Sequence, residues 1–385
     1  MTILGARPQF IKAAAVSRAI RAYNDDVKTS GRSKIIQEVV VHTGQHYDQN
    51  MSQIFFEELG IPEPSFNINV GSGRHGQQTA KMIDGIEEIL IKEQPDSVIL
   101  YGDTNSTIAG ALAASKIHIP IVHIEAGLRS FNKKMPEEIN RIACDHMSSL
   151  LFSPTKQGIK NLQKEGFKLK QEGKATMDEP NMYHCGDIML DNSMYFGKSG
   201  NGTPPLMNSL GLKANEFILC TIHRDSNTDI EANLISILDA LLSCQEETQM
   251  KIVLPLHPRT KNKIEQLNEH DSVERFLNNP NITILPPAGF NDIIILEKNS
   301  KLIVTDSGGL QKEAYFFKKP CVILREQTEW VEIVENGNAI LTGADNSKIK
   351  KAVSTLLAKQ NFTYPALFGD GQAGKFICSK ILSDL

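Results

Sequence analysis

Short runs of β-branched and aliphatic residues alternate with segments of helical period along the whole chain, and the alternation starts afresh near residue 217. Parallel strands need connections long enough to hold a helix, so this pattern points to parallel sheets covered by helices. In the first set, strands are predicted at 1–4, 35–42, 97–101, 121–125, 150–152 and 182–184, with helices at 11–23, 79–91, 107–116, 137–147 and 156–165. The second set places strands at 217–222, 251–256, 282–285, 302–305, 321–324 and 339–341, with helices at 229–242 and 347–359 among the connections. Between them, 197–205 is rich in Gly, Ser, Asn and Pro and reads as a linker. A chain of 385 residues exceeds what one hydrophobic core usually organises, so two α/β domains meeting near residue 200 are expected. The tail is predicted as a turn-rich stretch and one helix that packs back on the body, and the polar stretch 168–180 as a flexible excursion.

Composition narrows the partners. With 41% hydrophobic residues, 22% charged residues and a net charge of −4, nothing favours nucleic acid or a membrane surface. The apolar runs are too short to span a bilayer and no signal-peptide pattern precedes them, so a cytoplasmic protein is expected. Six cysteines lie scattered singly, without metal or redox spacing, and read as reduced packing residues. The histidines show no ligand spacing, so no metal is expected.

In open parallel sheets ligands bind beyond the carboxyl ends of the strands, so polar residues directly after each strand carry the chemistry. Arg7 and Lys12 follow the first strand, where both suit an anion near a helix N-terminus. Asp103 and Glu125 leave two further strands, and Glu137 and Glu138 open the next helix behind Pro136. Carboxylates converging on one site can hold protons at different pKa values and so run acid and base steps. In the second half, His223, the pair His257 and Arg259, and the run Asp306-Ser307-Gly308-Gly309 each follow a strand. The amides of 307–309 suit a diphosphate, and Glu313, on the following helix, a ribose diol. The stretch 71–76 matches G-x-G-x-x-G, but it follows only a short apolar run and carries Arg74 and His75 where pyrophosphate would sit, so no dinucleotide cofactor is expected.

These residues, in order, resemble the non-hydrolysing UDP-N-acetylglucosamine 2-epimerases over essentially the whole chain. The marks are GARPQFIKAA at 5–14, TGQHYD at 43–48, YGDTNST at 101–107, HIEAGLRS at 123–130, MPEEINR at 135–141 and HCGD at 184–187, then TIHR at 221–224, LPLHPR at 254–259 and TDSGGLQKEA at 305–314. The resemblance implies two Rossmann-like domains facing across a cleft, a glycosyltransferase-B-like fold. It divides the chain into an N-terminal domain at 1–198, a UDP-binding domain at 199–367 and a helix at 368–385 returning to the first domain. It further implies a homodimer, a UDP-activated amino sugar as substrate, no cofactor, and UDP elimination to a 2-acetamidoglucal followed by re-addition. Carried onto matching positions, Asp103, Glu125, Glu137 and His223 form the acid/base set. Arg7, Lys12, His257, Arg259, Phe290, Ser307, Gly308, Gly309 and Glu313 hold the substrate or its UDP.

One departure bears on the sugar. After Thr328-Glu329 the chain continues Trp330-Val331-Glu332, where UDP-N-acetylglucosamine enzymes more often have an Arg-Pro-Glu-like continuation. The Trp version is more similar to members acting on 2,3-diacetamido uronic acid sugar nucleotides, which stand as the alternative substrates. A glycosyltransferase of the same architecture is the alternative of another class, and the carboxylate trio in the N-terminal half favours the epimerase.

Overall fold

The computed structural model describes residues 1–31, 34–45, 53–198, 204–256 and 258–385, apart from the side chains of 53–55 and 258. These fall into two compact units, Met1–Asn192 with Ala366–Leu385, and Ser193–Pro365. The sequence placed the joints at 198/199 and 367/368, a few residues later. The helix Ile188–Phe196 straddles the first joint. Asn192 donates to the carbonyl of Ile11 within the first unit, whereas Phe196 packs edge-on against Phe290 within the second.

The first unit holds β1 (Thr2–Leu4), β2 (Val40–His42), β3 (Phe66–Asn67), β4 (Val98–Tyr101), β5 (Ile121–Ile124), β6 (Leu150–Ser153) and β7 (Asn181–His184). All pairings are parallel, in the order β3-β2-β1-β4-β5-β6-β7. The second unit repeats the plan with β8 (Phe217–Thr221), β9 (Lys251–Pro255), β10 (Ile282–Leu285), β11 (Leu302–Thr305), β12 (Cys321–Ile323) and β13 (Ala339–Leu341), in the order β10-β9-β8-β11-β12-β13. In each sheet the chain runs outward to one edge and then returns to the middle, so the order reverses between β1 and β4 and between β8 and β11. Such switch points leave a crevice beyond the strand ends where helices depart to opposite faces.

The strands are continuous apolar runs because helices cover both faces. In the first unit Ile3, Val41, Val98 and Leu100 pack with Met82, Ile86 and Leu90 of the helix His75–Glu93. In the second, Ile218, Ile252, Leu254 and Val304 pack with Leu234, Leu238 and Leu241 of the helix Glu231–Thr248. Each such buried side chain contributes roughly 1.5–3 kcal/mol. Gly110 allows the helix Asn105–Lys116 to lie close on the first sheet, since a Cβ there would meet Leu100 Cδ2 at 2.7 Å.

The C-terminal helix Ala373–Asp384 does return to the first unit. Asp191 accepts the amides of Ala373 and Gly374 at 3.1 and 2.8 Å, and Phe376 packs edge-on against Phe152 and Tyr183. The stretch expected to be a flexible excursion is tied down: Met182 N donates to Lys170 O, Tyr183 Oη to Gln171 O, and Ala175 N to Asp384 O. The predicted strand 35–42 shortens to Val40–His42, while β3 and the helix Gln53–Leu59 were not foreseen.

Candidate active site

At the first switch point, Gln9 joins the two strand ends. Its carbonyl oxygen accepts the amides of Gly5 and Ala6, and its amide nitrogen donates to Tyr101 O at 2.9 Å and Thr107 Oγ1 at 3.1 Å. The helix Arg7–Ser30 therefore starts at a fixed point, with Arg7 half-buried at its first residue and Lys12 one turn in. Lys12 Nζ bonds Glu125 Oε2. Glu125 is 7% exposed and has a φ of 74°, a left-handed conformation that costs roughly 1–2 kcal/mol for a residue with a side chain. Strain of this kind clusters at functional sites. Gly102, also left-handed, leaves the room: a Cβ there would lie 3.2 Å from Glu125 Oε2 and 3.3 Å from Lys12 Nζ.

Asp103 is next in the chain. Its carboxylate meets Arg141 Nη2 at 2.5 Å, and its carbonyl accepts from Asn140 Nδ2 at 2.9 Å. Burial raises its pKa above the usual aspartate value; Arg141 and Lys12 work against that, and Glu125 and Glu137 add to it. Arg141, Lys12, Glu125 and Glu137 thus all lie within electrostatic range of Asp103. Within the pair that opens the helix Pro136–His146, the two glutamates differ. Glu137 is exposed, whereas Glu138 is 1% exposed and accepts the amides of Ser130 and Phe131, both at 2.9 Å, anchoring the preceding loop. Of the TGQHYD motif, Gln45 accepts from Ser106 N and Oγ, and 46–48 lie outside the described residues.

At the second switch point, His223 follows β8 and Asp306 follows β11. Asp306 Oδ1 meets His223 Nδ1 at 2.9 Å, and the carboxylate also accepts the amides of His223 and Arg224 and the side chain of Asn227. Burial alone would raise the pKa of Asp306, but these donors hold it below the usual carboxylate range. An ionised, fully buried Asp306 fixes the His223 ring by its Nδ1 edge, leaving Nε2 for chemistry in a side chain that is half exposed. The sequence reading gave Asp306 no role, although a carboxylate directly at a central strand end was the available signal.

His223, Ser307 and Leu310 share the wall of a cavity of about 190 Å³ with the apolar Pro255, Leu256 and Pro287. Ser307 caps the helix Gly308–Phe316 by accepting Leu310 N, so the first amides of that helix, at Gly308 and Gly309, have no partner within it. The left-over donors and the helix dipole suit a phosphate. Trp330 braces this turn: its Nε1 donates to Gly308 O at 2.9 Å while Lys312 Nζ lies 4.3 Å from the ring centroid. Trp330, taken from sequence as a marker of the sugar, therefore touches the phosphate-type turn. Glu313 is 5% exposed, and a Cβ on Gly309 would lie 3.9 Å from its Oε2. Behind it, Glu297 is fully buried; burial first, and then Glu313, push its pKa well above the usual range. Glu297 was not singled out from sequence, where it directly follows the apolar run 293–296 and precedes Lys298.

Two other expected ligands, Arg259 and Phe290, do not line this cavity. Arg259 is half exposed and paired with Asp225 at 3.2 Å and Asp229 at 2.8 Å, and it is not in the cavity lining. Phe290 packs on Phe196 and is likewise absent from the lining. His257 lies outside the described residues.

The chain matches the family described as UDP-N-acetylglucosamine 2-epimerase over residues 28–382. It is 47% identical to the UDP-2,3-diacetamido-2,3-dideoxy-D-glucuronate 2-epimerase of Pseudomonas aeruginosa, covering 98% of this chain and 97% of that protein. It is 40% identical to the UDP-N-acetylglucosamine 2-epimerase of Methanocaldococcus jannaschii, covering 97% and 96%. The crystal structure of the Methanocaldococcus jannaschii UDP-GlcNAc 2-epimerase, in complex with UDP-GlcNAc and UDP, matches with a TM-score of 0.80 at 39% identity, covering 99% of this chain and 98% of that one. With two doubly wound parallel sheets of glycosyltransferase-B type and this likeness along its length, the chain belongs to the UDP-N-acetylglucosamine 2-epimerase family and is a UDP-sugar 2-epimerase, an isomerase.

Proposed function

We propose that the protein inverts C2 of a UDP-activated acetamido sugar, interconverting UDP-N-acetylglucosamine and UDP-N-acetylmannosamine without net hydrolysis. The C2 proton has no adjacent carbonyl to acidify it, so direct removal and return is unfavourable. Elimination avoids the difficulty: a base takes the proton from C2, the C1–oxygen bond to UDP breaks, and a 2-acetamidoglucal remains. Re-addition forms the C1–oxygen bond again and delivers a proton to the opposite face of C2, so only that centre changes. The observation that carries the reading is that Glu125, Glu137, Lys12 and Arg141 all lie within electrostatic range of Asp103, since two opposite-face proton transfers need more than one titratable group. His223, fixed by Asp306, is the fourth member of the acid/base set. Arg7 and Lys12 hold the sugar or diphosphate, the turn at Ser307, Gly308 and Gly309 takes the departing diphosphate, and Glu313 the ribose.

A second substrate, UDP-2,3-diacetamido-2,3-dideoxyglucuronate, is favoured by the 47% identity to the Pseudomonas aeruginosa enzyme and by Trp330. The proposal extends to a cytoplasmic homodimer that supplies a precursor for glycan synthesis. No helix among the described residues is long and apolar enough to cross a membrane. Incubation of each sugar nucleotide in deuterated water tests the reading. Deuterium at C2 with appearance of the epimer is expected for one of them, and the faster identifies the substrate. No exchange with either would sink the proposal, and free sugar released in step with UDP would point to a hydrolase.

A further inference from the structure

Beneath the carboxylate cluster of the first unit lies a charged group that the proposed chemistry does not use. His123, on β5, is wholly buried, and both of its ring nitrogens are engaged: Nδ1 with Asp145 Oδ1 at 2.7 Å and Nε2 with the carbonyl of Gly102 at 2.8 Å. A carbonyl oxygen can only accept, so Nε2 carries a proton. The other partner, Asp145, is also wholly buried, and its Oδ2 receives the amide of Gly127 at 3.1 Å and the Arg129 guanidinium at 2.8 Å. With a guanidinium on one oxygen, Asp145 stays ionised and accepts at the other, so Nδ1 carries a proton as well. Burial alone would lower the pKa of His123, but the neighbouring Cys144 and Asp145 outweigh it and raise the value well above that of ordinary imidazole. Burial alone would raise Asp145, and His123 and Arg129 bring it below the usual range. Glu165 completes the group, bonded to Arg129 at 2.6 Å and with His146 3.7 Å away at the rim, so two buried cations meet two carboxylates.

The placement gives the group its purpose. Gly102 O, held by His123, immediately precedes Asp103; Gly102 N in turn bonds Ile124 O, immediately before Glu125. Asp145 also holds the amide of Gly127, two residues beyond the strained Glu125. From these contacts we infer that His123 is a permanently doubly protonated positioning residue that, with Asp145, locks the loop ends carrying Asp103 and Glu125, and that it takes no part in proton transfer to the sugar. A neutral His123 would point an unprotonated nitrogen at either a carbonyl or a carboxylate, and one of the two loop ends would be released. This inference rests on the epimerase reading for its kinetic consequence, but its protonation state does not.

The test uses the full-length protein labelled with 15N-histidine, His123 being assigned by the signal that vanishes in His123→Asn. Both ring nitrogens of His123 are expected to stay protonated from about pH 6 to pH 9, across the range where ordinary histidines titrate. Loss of either proton within that window would overturn permanence. In parallel, Asp145→Asn and His123→Asn are each expected to lower the C2 exchange rate by on the order of a hundredfold, while UDP affinity, which the proposed reading places mainly on the turn at Ser307, Gly308 and Gly309, falls by far less. Wild-type exchange in both variants would overturn the positioning role. If a variant loses UDP binding and its cooperative melt, the nitrogen signals of the wild type still decide the question. If the wild type exchanges no C2 proton from any UDP sugar, the epimerase reading fails while the protonation result stands.

Discussion

The two units share one construction and differ in what they place at its switch point. Beyond β1 and β4 the first unit gathers charge of both signs: Lys12, Asp103, Glu125, Glu137 and Arg141. Beyond β8 and β11 the second presents a helix start with two glycines, an apolar slot at Pro255, Leu256 and Pro287, and His223 oriented by Asp306. Under the proposed reading, the same sheet plan carries the carboxylates for proton handling in the first unit and the nucleotide-holding turn, with His223, in the second. Sheet topology fixes where a site forms, and the few residues after each strand fix its chemistry.

The largest effect that would sharpen or break this division is expected for Asp103→Asn. Loss of an acid/base group should lower kcat by on the order of 10³-fold, and calorimetry should find UDP affinity unchanged; equal loss of UDP binding would refute the separation. His223→Ala comes next, with kcat down by about a hundredfold and UDP still bound, since its phosphate-type turn remains. A wild-type rate in that variant would remove His223 from the acid/base set.

The pH–rate profile probes the crowding of charge. Because the pKa of Asp103 is raised, the folded state holds its proton more tightly than the unfolded one. Its contribution to stability is therefore present at low pH and lost as pH rises through the folded value, while the ionised form needed of a base appears only above that value. The acid limb of kcat/KM is expected above the ordinary aspartate value of 3.8. A limb at the ordinary value would show that another group governs it.

Trp330→Phe removes the bond to Gly308 O while keeping an aromatic ring near Lys312. A single lost hydrogen bond of about 1 kcal/mol corresponds to roughly fivefold weaker UDP binding, with little change in kcat at saturation; a fall in kcat alone would place Trp330 with the sugar. The smallest change is expected for Asp191→Ala, which strips two amide bonds from the start of the C-terminal helix. A loss of about 1 kcal/mol should lower the melting temperature by roughly 2–4 °C, with UDP binding untouched.

Much of this was legible in the chain. Short runs of three or four mostly apolar residues are sufficient to mark buried parallel strands, and those predicted at 282–285, 302–305 and 339–341 coincide with β10, β11 and β13. β3 escaped because two paired residues carry almost no period, and 35–39 was read as strand because its β-branched content outweighs the missing partner. Position after a strand singled out Asp103, Glu125, His223 and Ser307 as candidates, and the structure places them just beyond β4, β5, β8 and β11.

Local sequence did not disclose which polar side chains spend their hydrogen bonds on the protein itself. Glu137 and Glu138 are adjacent and chemically alike, yet one is exposed and the other anchors a loop. Arg259 follows a strand as the pattern demands, but Asp225 and Asp229 from another segment claim its guanidinium. The period of hydrophobic residues and the chemistry of strand ends are local properties, so the sequence determined the architecture and the residue types that stand at the strand ends. Burial and pairing depend on segments distant in the chain, so only the tertiary structure decided which of those groups stay free and which, like His123 and Asp145, are locked beneath them.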